Sequence, residues 1–430
     1  MTPESFHSPL IDDLANFRKL GHAAVDMAAD YLETIRERPV FTPMTLDEKQ
    51  ELLSIKLPET GAPQEEALKI IQDRIFTHPM GNGHPRFFGW VNSPPALPGI
   101  IAEFLAAALN PSSAGGEHAA IYLEYGVMRW LMELIGFPQE QSAGLFVSGG
   151  SMANLTCLAA ARFWAAKQAG WNVREQGLQS HKPELVLYQS EEAHGCIRKS
   201  AEMLGIGSAA LRLIPTDSDF RIDVAVLQSA VQEDKAAGKQ PFCVVANAGT
   251  VNTGAVDPIV ELADLCEKEA LWLHVDGAYG ALGAIDPQTA HLFRGIERAQ
   301  SVAMDPHKWL SVPIECGCAL VADKTLLRET FSLIPPYLQT QDNSELQLPW
   351  FSEYGFQQSR SFRALKVWMV LQTTGRQGLV QRIQWHNTLA QRLAELIDTA
   401  PDFERIAPVA LSIVCFRYIP PEDRYSEEKI

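Results

Sequence analysis

The stretch Ser301-Val-Ala-Met-Asp-Pro-His-Lys-Trp309 joins a short apolar run to a proline, and then to a histidine, a lysine and a tryptophan. Because proline ends a strand or lies just beyond it, this pattern predicts a strand that opens into a loop. Most lysines of globular proteins are solvated surface charges. Lys308 therefore indicates a functional site only if residues elsewhere in the chain support one.

Asp276 provides that support, since it lies 32 positions before Lys308 and directly follows an apolar run at 271–275. A carboxylate at the end of a buried strand needs a partner, and ligands of open α/β sheets bind at this end. Pyridoxal phosphate (PLP) is a cofactor that requires a Schiff-base lysine and a carboxylate against its ring nitrogen. Asp276 and Lys308 together predict a PLP site.

The stretch Val147-Ser-Gly-Gly-Ser-Met-Ala-Asn154 is a candidate cradle for the phosphate of this cofactor. It follows an apolar run and opens an alanine-rich helix predicted at 152–168. Glycines let the backbone approach an anion, and the free N–H groups of a helix start favour it. We expect Gly150 and Ser151 to donate to the phosphate, Ser151 to cap the helix, and Asn154 to support the loop.

Strands and helices alternate between residues 145 and 321. The predicted strands are 145–147, 185–189, 210–214, 242–246, 271–275, 302–304 and 318–321. This alternation predicts an α/β fold whose mostly parallel sheet carries helices on both faces. A helix predicted at 361–399 and a strand at 409–418 then begin a small C-terminal lobe.

Four motifs are shared with a known family. They are Ser148-Gly-Gly-Ser-Met-Ala-Asn154, Glu192-Ala-His194, His274-Val-Asp-Gly-Ala-Tyr279 and Asp305-Pro-His-Lys-Trp309. With them the chain resembles the group II PLP-dependent amino acid decarboxylases, of the aromatic-L-amino-acid decarboxylase and glutamate decarboxylase type, from about residue 17 to residue 418. The resemblance implies PLP fold-type I (aspartate aminotransferase-like) and decarboxylation of an L-amino acid to the corresponding amine.

The resemblance also implies three parts of the chain. We expect an N-terminal helical dimerisation segment at 1–83, a large PLP-binding domain at 84–360 and a small C-terminal domain at 361–430. In the family the N-terminal helix packs on a partner subunit, which implies a homodimer with its active site near the interface. The family's C-terminal lobe runs on through more strands and helices, so this lobe is expected to be incomplete.

The resemblance assigns cofactor contacts residue by residue. Lys308 is implied to carry the cofactor, and Asp276 to keep the ring nitrogen protonated so that the ring accepts electrons. Ala278 and His194 are implied to lie against the two faces of the ring. His307, next to the lysine, is implied to contact the phosphate.

Further contacts follow from the same resemblance. Thr250 is implied to lie near the cofactor or the substrate carboxylate, and Val251 replaces a second threonine that many relatives carry. Trp90 and Val91 are implied to form a wall of the substrate pocket, and Arg360 to lie near the active site. Trp90, with the nearby Phe87 and Phe88, favours an aromatic substrate, whereas Arg86 leaves an acidic one open.

Tyr337 lies in a long stretch without periodicity, at about 332–350. Long irregular loops are often functional lids. In the resembling family a loop tyrosine returns a proton to the substrate carbon, and a phenylalanine there is associated with aldehyde-forming relatives. The resemblance therefore implies that Tyr337 or His194 returns this proton, and a tyrosine here favours simple decarboxylation.

The composition excludes several classes of protein. The 430 residues carry a formal net charge of −16, which disfavours an extended surface for nucleic acid or anionic membranes. No apolar run approaches the ~20 residues of a membrane span. The seven cysteines form no metal-ligand spacing and no disulfide framework, so we expect no metal site and a cytoplasmic location.

Three alternatives stay open. Ser151, Asp276 and His307 occur in the order of an α/β-hydrolase triad, but Gly149-Gly-Ser-Met-Ala153 lacks the second glycine of a nucleophile elbow and leaves Lys308 unexplained. A PLP-dependent aldehyde synthase, or another fold-type I lyase, keeps the cofactor and changes the reaction. A PLP-free scaffold is the third, and the presence of both Lys308 and Asp276 argues against it.

Overall fold

The computed structural model describes residues 14–179, 183–333 and 348–420. These residues form two compact units, which divide between Trp90 and Val91. The first unit is helical and contains α1 (Leu14–Thr34), α2 (Leu46–Leu53), α3 (Gln64–Ile70) and a π-helical turn at Ile71–Ile75. Helix α2 begins after Thr45, because the side chain of Thr45 and that of Glu48 each bond the other's backbone N–H in a capping box.

The second unit contains the other described helices and strands. They are α4 (Leu97–Leu109), α5 (Ala119–Ile135), β1 (Ala143–Val147), α6 (Gly150–Gln168), α7 (Val173–Gln176), β2 (Leu185–Ser190), α8 (Cys196–Met203), β3 (Leu211–Ile214), α9 (Val224–Ala236), β4 (Gln240–Asn247), α10 (Ile259–Glu269), β5 (Trp272–Asp276), β6 (Ser301–Met304), β7 (Gly317–Val321), α11 (Lys324–Phe331), α12 (Arg363–Thr399), β8 (Phe403–Arg405) and β9 (Phe416–Tyr418). None of the helices described in either unit combines the length and hydrophobicity needed to cross a membrane.

The main sheet has seven strands in the order β1-β7-β6-β5-β4-β2-β3. Strand β7 runs antiparallel to both of its neighbours, and all other adjacent pairs are parallel. The predicted α/β fold with a mostly parallel sheet is therefore confirmed. The carboxyl ends of β1, β2, β4, β5 and β6 consequently lie at one edge of the sheet.

The sheet separates two hydrophobic cores. In β2, Val186 and Tyr188 pack into one core, whereas Leu185 and Leu187 pack into the other. This alternation follows from the two-residue period of a strand, and it buries both faces because helices cover both. Helices α5, α9, α10 and α12 complete the first core, and α6, α8 and α11 complete the second.

Seven strands were predicted in this region and seven are present, with boundaries that differ by a few residues. The strand predicted at 409–418 is largely wrong, since only Phe416–Tyr418 pairs, with Phe403–Arg405. Two backbone groups before Phe416 form hydrogen bonds with side chains and not with a neighbouring strand. Ser412 N–H donates to Tyr279 Oη at 3.0 Å, and Val409 O accepts from the Gln391 side chain at 3.0 Å.

The compact units do not coincide with the predicted domains, whose boundaries stay predictions. The first unit ends at Trp90 instead of residue 83, and residues from 361 onward do not separate from the large unit in the part of the chain described. The physical reason is helix α12, whose Val367, Val370 and Leu379 belong to the same hydrophobic core as the sheet. Helix α12 therefore packs as part of the second unit, and a separate C-terminal domain at 361–430 stays a prediction.

One buried ion pair joins the start of the second unit to the segment before α12. Arg360 Nη2 bonds Glu124 Oε1 on α5, and both side chains are almost fully buried. The same oxygen accepts from Phe146 N–H at 3.1 Å, while Arg360 donates to the carbonyls of Ser113 and Phe146 at 2.6 and 2.7 Å. These bonds offset part of the cost of burying both charges, since Glu124 Oε2 and Arg360 Nε have no hydrogen-bond partner among the described residues.

We expect Arg360→Met to destabilise the protein by about 3–5 kcal/mol, because it leaves the Glu124 carboxylate buried and unpaired. Arg376→Met is the matched control, since it removes a pair with Glu133 in which both side chains are more than half exposed. That change should cost less than about 1 kcal/mol. Urea unfolding of both variants measures the difference, and equal losses would contradict a structural role for the buried pair.

Candidate active site

A cavity of about 280 Å³ opens at the carboxyl edge of the sheet. Each parallel strand that ends there contributes residues just beyond its last position. The residues that the sequence proposed as cofactor contacts all line this cavity: Gly150, Ser151, His194, Thr250, Asp276, Ala278, His307 and Lys308. Such an edge is where open α/β sheets bind ligands, and the topology thus brings together residues that are far apart in sequence.

Lys308 lies in a tight turn directly after β6. Its backbone N–H donates to Asp305 O at 2.9 Å, and Ser311 N–H donates to Lys308 O at 3.0 Å. The ammonium group lies 3.2 Å from Asp305 Oδ2, and the lysine side chain is 21% exposed. Lys308 is therefore an amine at the floor of a cavity, held by a buried carboxylate, and not a surface lysine.

Asp276 is the last residue of β5 and is 7% exposed. Its Oδ1 accepts from Ala278 N–H at 3.2 Å. In the parallel pairing of β5 with β6, Asp276 lies opposite Ala303, two positions before Asp305. This register places the Asp276 carboxylate and the Lys308 turn on adjacent strands at the same edge.

The predicted phosphate cradle lies at the start of α6, which begins at Gly150 with Gly149 as its N-cap. A Cβ on Gly150 would lie 2.7 Å from Asp305 Oδ2, so only glycine fits this close approach. Ser151 does not cap the helix, contrary to our expectation, because the helix starts two residues earlier than predicted and its N-cap makes no side-chain hydrogen bond. The ring of His307 lies beside Gly149, with Nδ1 held 2.8 Å from Cys316 O.

A chain of buried hydrogen bonds runs beneath the cavity. Ser301 Oγ accepts from Trp272 Nε1 and lies 2.8 Å from His274 Nδ1, while His274 Nε2 lies 2.6 Å from Asn154 Oδ1. Asn154 in turn donates to Cys196 Sγ at 3.4 Å. Because the amide oxygen only accepts, Nε2 carries the proton and Nδ1 accepts from Ser301. Burial lowers the pKa of His274 to about 4, which keeps the imidazole neutral.

Two loops close the sides of the cavity. His194 follows β2, is exposed, and accepts from Cys196 N–H through Nδ1 at 3.2 Å. Thr250 follows β4 and is buried, with its hydroxyl 2.8 Å from that of Thr253 and bonded by Ala255 N–H. The Thr250 hydroxyl is thus engaged in its own turn, and Val251 presents an apolar surface to the cavity.

Helix α12 holds the loop that carries the lysine. Trp309 Nε1 donates to His386 Nδ1 at 3.0 Å, and Arg382 donates to Ser311 Oγ. The Trp309 ring also packs on Tyr279, with ring centroids 5.0 Å apart. The residues after Lys308 are therefore fixed from two sides, by α12 and by the loop after β5.

The residues of this cavity fit PLP. Lys308 offers an amine, Asp276 offers a carboxylate for a ring nitrogen, and the start of α6 offers N–H groups to a phosphate. Gly150 leaves no room for a side chain where the anion would approach. In addition, Asp305 Oδ1 is buried and has no hydrogen-bond partner among the described residues, which is typical of a site that a ligand completes.

Other predicted site residues lie elsewhere. The expectation of a substrate contact for Arg360 is corrected, because its guanidinium is buried in the pair with Glu124 and does not line the cavity. Trp90 is 78% exposed and Val91 is half-buried, and their place on the substrate wall stays a prediction. Tyr337 lies outside the described residues.

The sequence analysis missed two acidic residues of the cavity. Asp305 stood within a quoted motif but received no role, although its position before Pro306 and His307 was a signal. Glu315 lines the cavity and pairs with Arg363 Nη2 at 2.7 Å. No local pattern marks Glu315, because it reaches the cavity only through the antiparallel return of the chain into β7.

The hydrolase alternative fails on geometry. His307 Nδ1 bonds Cys316 O at 2.8 Å, and its Nε2 lies 3.7 Å from Asp305 Oδ2. Asp276 bonds the backbone N–H of Ala278 instead of an imidazole. A triad requires a histidine oriented between the serine and an acid, and His307 is oriented by other groups.

The comparisons with known proteins agree on one family. The pyridoxal-dependent decarboxylase conserved domain matches residues 47–419. An aromatic-L-amino-acid decarboxylase from Bacillus atrophaeus is 37% identical over 408 residues, covering 94% of this chain and 82% of that relative. An acidic amino acid decarboxylase from Bos taurus is 34% identical (89% and 72% covered), and a phenylacetaldehyde synthase from Petunia hybrida is 32% identical (94% and 80% covered).

A solved structure agrees with this match. The crystal structure of Oryza sativa TDC with PLP and tryptamine superposes with a TM-score of 0.89 at 29% identity. The alignment covers 96% of this chain and 85% of the rice chain. The similarity therefore extends through both the sheet and the helices that surround it.

We expect the stability of the protein to fall on acidification through His274. Its pKa is lowered in the folded state, so the unfolded chain binds the proton first, and stability is lost between about pH 6.5 and about pH 4. At pH 5 the loss should be about 2 kcal/mol relative to neutral pH. Urea unfolding at both pH values measures it.

His274→Gln should remove this part of the pH dependence, whereas His291→Gln, at an exposed position, should retain it. The same pH dependence in wild type and His274→Gln would show that His274 does not carry the effect.

Proposed function

The chain belongs to the pyridoxal-dependent decarboxylase family, and from this premise we propose that it converts an aromatic L-amino acid to the corresponding amine and carbon dioxide. The observation that carries the proposal is the meeting of Lys308, Asp276 and the start of α6 in one cavity. The family is PLP-dependent and its members are carboxy-lyases. The roles of the individual residues and the aromatic class of substrate are our proposals.

The chemistry that PLP supplies when bound is an electron sink for the pair left behind as the α-carboxylate departs. Lys308 is assigned as the amine that would hold the cofactor in the cavity. Asp276 holds a proton at the ring nitrogen, which makes the electron sink effective. Gly150, Ser151 and His307 bind the phosphate and so orient the ring.

His194 and Ala278 are assigned to opposite faces of the ring, which excludes water from the reacting carbon. After carbon dioxide leaves, the α-carbon needs one proton. We assign its return to Tyr337 or His194, and His194 is supported by its exposed position on the cavity wall. Thr250 lines the same wall and supports the loop after β4.

The charges of the cavity support an aromatic over an acidic substrate. Among the described residues that line it, Lys308 is the only lysine or arginine, so the lining offers no second lysine or arginine to the side-chain carboxylate of an acidic substrate. Asp276, Asp305 and Glu315 add three acidic side chains, none of which offers a positive charge to a second carboxylate on the substrate side chain. The Bacillus atrophaeus relative is named for aromatic substrates, and Trp90, Val91 and the nearby aromatics are assigned to the pocket wall.

Aldehyde formation is the second candidate reaction, and the relative from Petunia hybrida favours it by its name. Both reactions begin with loss of the same carboxylate. A proton then gives the amine, whereas dioxygen, with water, gives the aldehyde, ammonia and hydrogen peroxide. Tyr337 supports the amine product, since a proton donor there completes a simple decarboxylation.

We also propose a homodimer and a cytoplasmic location. Helix α4 supports a dimer, because Leu97, Phe104 and Leu109 are each more than half exposed on one short helix, and exposed apolar patches mark interaction sites. All seven cysteines are free thiols, and six of them are buried, which suits a reducing compartment.

We expect the PLP-loaded protein to release amine and carbon dioxide from tryptophan, tyrosine, phenylalanine or DOPA, and much less from glutamate or aspartate. Mass spectrometry of the products and kcat/KM for each amino acid measure this. Lys308→Ala should abolish turnover, whereas Lys199→Ala, on the exposed face of α8, should not. Asp276→Asn should lower kcat by on the order of 10²–10³-fold, as loss of an electrostatic stabiliser does.

Preference for glutamate or aspartate would overturn the substrate assignment, and unchanged turnover in Lys308→Ala would overturn the role of the lysine.

We expect Tyr337→Phe to lower amine formation and to raise the share of aldehyde, ammonia and peroxide, because the proton donor is lost while loss of carbon dioxide continues. The ratio of amine to aldehyde, measured by mass spectrometry, tests this. His194→Gln is the comparison variant. If Tyr337→Phe forms amine as fast as wild type and His194→Gln does not, His194 is the donor.

A further inference from the structure

Asp305 is a buried acid whose two oxygens have different surroundings. Its side chain is 3% exposed, and Oδ2 lies 3.2 Å from the Lys308 ammonium. Oδ1 is buried without a hydrogen-bond partner in the described parts of the chain. A carboxylate accepts through both oxygens, so half of this one is unsatisfied. A protonated carboxyl, in contrast, carries a donor that a ligand can use.

Among the groups that face Asp305, only Lys308 and His307, two basic residues of its own loop, favour its ionised form. Lys308 and His307 oppose the effect of burial, which on balance raises the pKa of the Asp305 carboxyl. Asp276, from β5, adds a repelling negative charge. The thiols of Cys196 and Cys316 also face it, and burial raises their pKa values so far that both are neutral.

The carboxyl also lies against the phosphate cradle. Asp305 Oδ2 would be 2.7 Å from a Cβ on Gly150, the first residue of α6. A carboxylate beside a helix start is stabilised by the same N–H groups that would bind a phosphate. An anionic phosphate bound at the start of α6 would therefore lie close to the Asp305 carboxylate.

Cofactor binding changes three conditions at Asp305 in the same direction. The phosphate would take the N–H groups at the start of α6, its negative charge would lie next to the Asp305 carboxylate, and Lys308 would leave its pair with Asp305 to hold the cofactor. Each change disfavours the ionised form of a buried acid.

We propose that Asp305 pairs with Lys308 as a carboxylate in the cofactor-free protein and takes up one proton from solvent when PLP binds. The inference rests on the proposed roles of Lys308 and the start of α6. The bond formed is an O–H bond on the Asp305 carboxyl, and no electrons are transferred. Asp305 thereby becomes a neutral part of the cradle, and the affinity for PLP falls as the pH rises.

The Kd for PLP of wild type and Asp305→Asn, measured by equilibrium dialysis from about pH 6 to about pH 8, tests this inference. The amide is permanently neutral and of the same shape, and the ligand's own titrations are common to both proteins. The ratio of the wild-type Kd to the variant Kd should rise with pH, toward tenfold per pH unit for one linked proton. With pyridoxal, which lacks the phosphate, the ratio should depend less on pH.

A second measurement needs no variant. Calorimetry of wild type near pH 7, in two buffers of different ionisation heat, counts the protons taken up with PLP and with pyridoxal. We expect close to one proton more with PLP. Parallel pH dependences in dialysis, or equal proton uptake with the two ligands, would overturn the inference while leaving the cofactor assignment intact. Failure of the wild type to bind PLP would overturn the proposed function together with the inference.

Discussion

The parallel pairing of β5 with β6 is the contact on which the site depends. This pairing sets Asp276 opposite Ala303 on the adjacent strand. Asp276 and the turn that carries Lys308 are therefore close in space, although Lys308 lies 32 positions later in the sequence. A parallel pair requires a crossover of the chain, and the crossover here packs beneath the sheet as short helical turns between 281 and 298. Every other cavity residue is placed relative to this pair of strand ends.

Burying polar groups around strands β5 and β6 costs free energy unless each group has a hydrogen-bond partner. His274 meets that condition as a neutral ring between Ser301 and Asn154, and the backbone of the lysine turn bonds within itself. Asp305 does not meet it, since one of its oxygens is left without a bond. Buried groups that break such packing rules concentrate at functional sites, and Asp305 lies at the floor of the cavity.

The failures of the sequence analysis share a cause. A strand at 409–418 was wrong because apolar alternation does not reveal that Ser412 bonds Tyr279 Oη instead of a neighbouring strand. The contact assigned to Arg360 was wrong because charge alone does not distinguish a ligand-binding arginine from one paired with Glu124 in the core. The predicted N-cap, Ser151, was wrong by two residues, since nothing local decides which residue of Gly149-Gly-Ser151 ends the loop before the helix.

The sequence by itself determined the order of strands and helices, the lysine, the aspartate and the glycine-rich helix start, because periodicity and motif spacing are local properties of the chain. Only the tertiary structure decided that β7 runs antiparallel, that α12 shares the core of the sheet, and that Asp305 and Glu315 enter the cavity. Those facts depend on which distant segments pack together. Packing maximises the apolar surface buried by the whole chain, so no single stretch of residues encodes it.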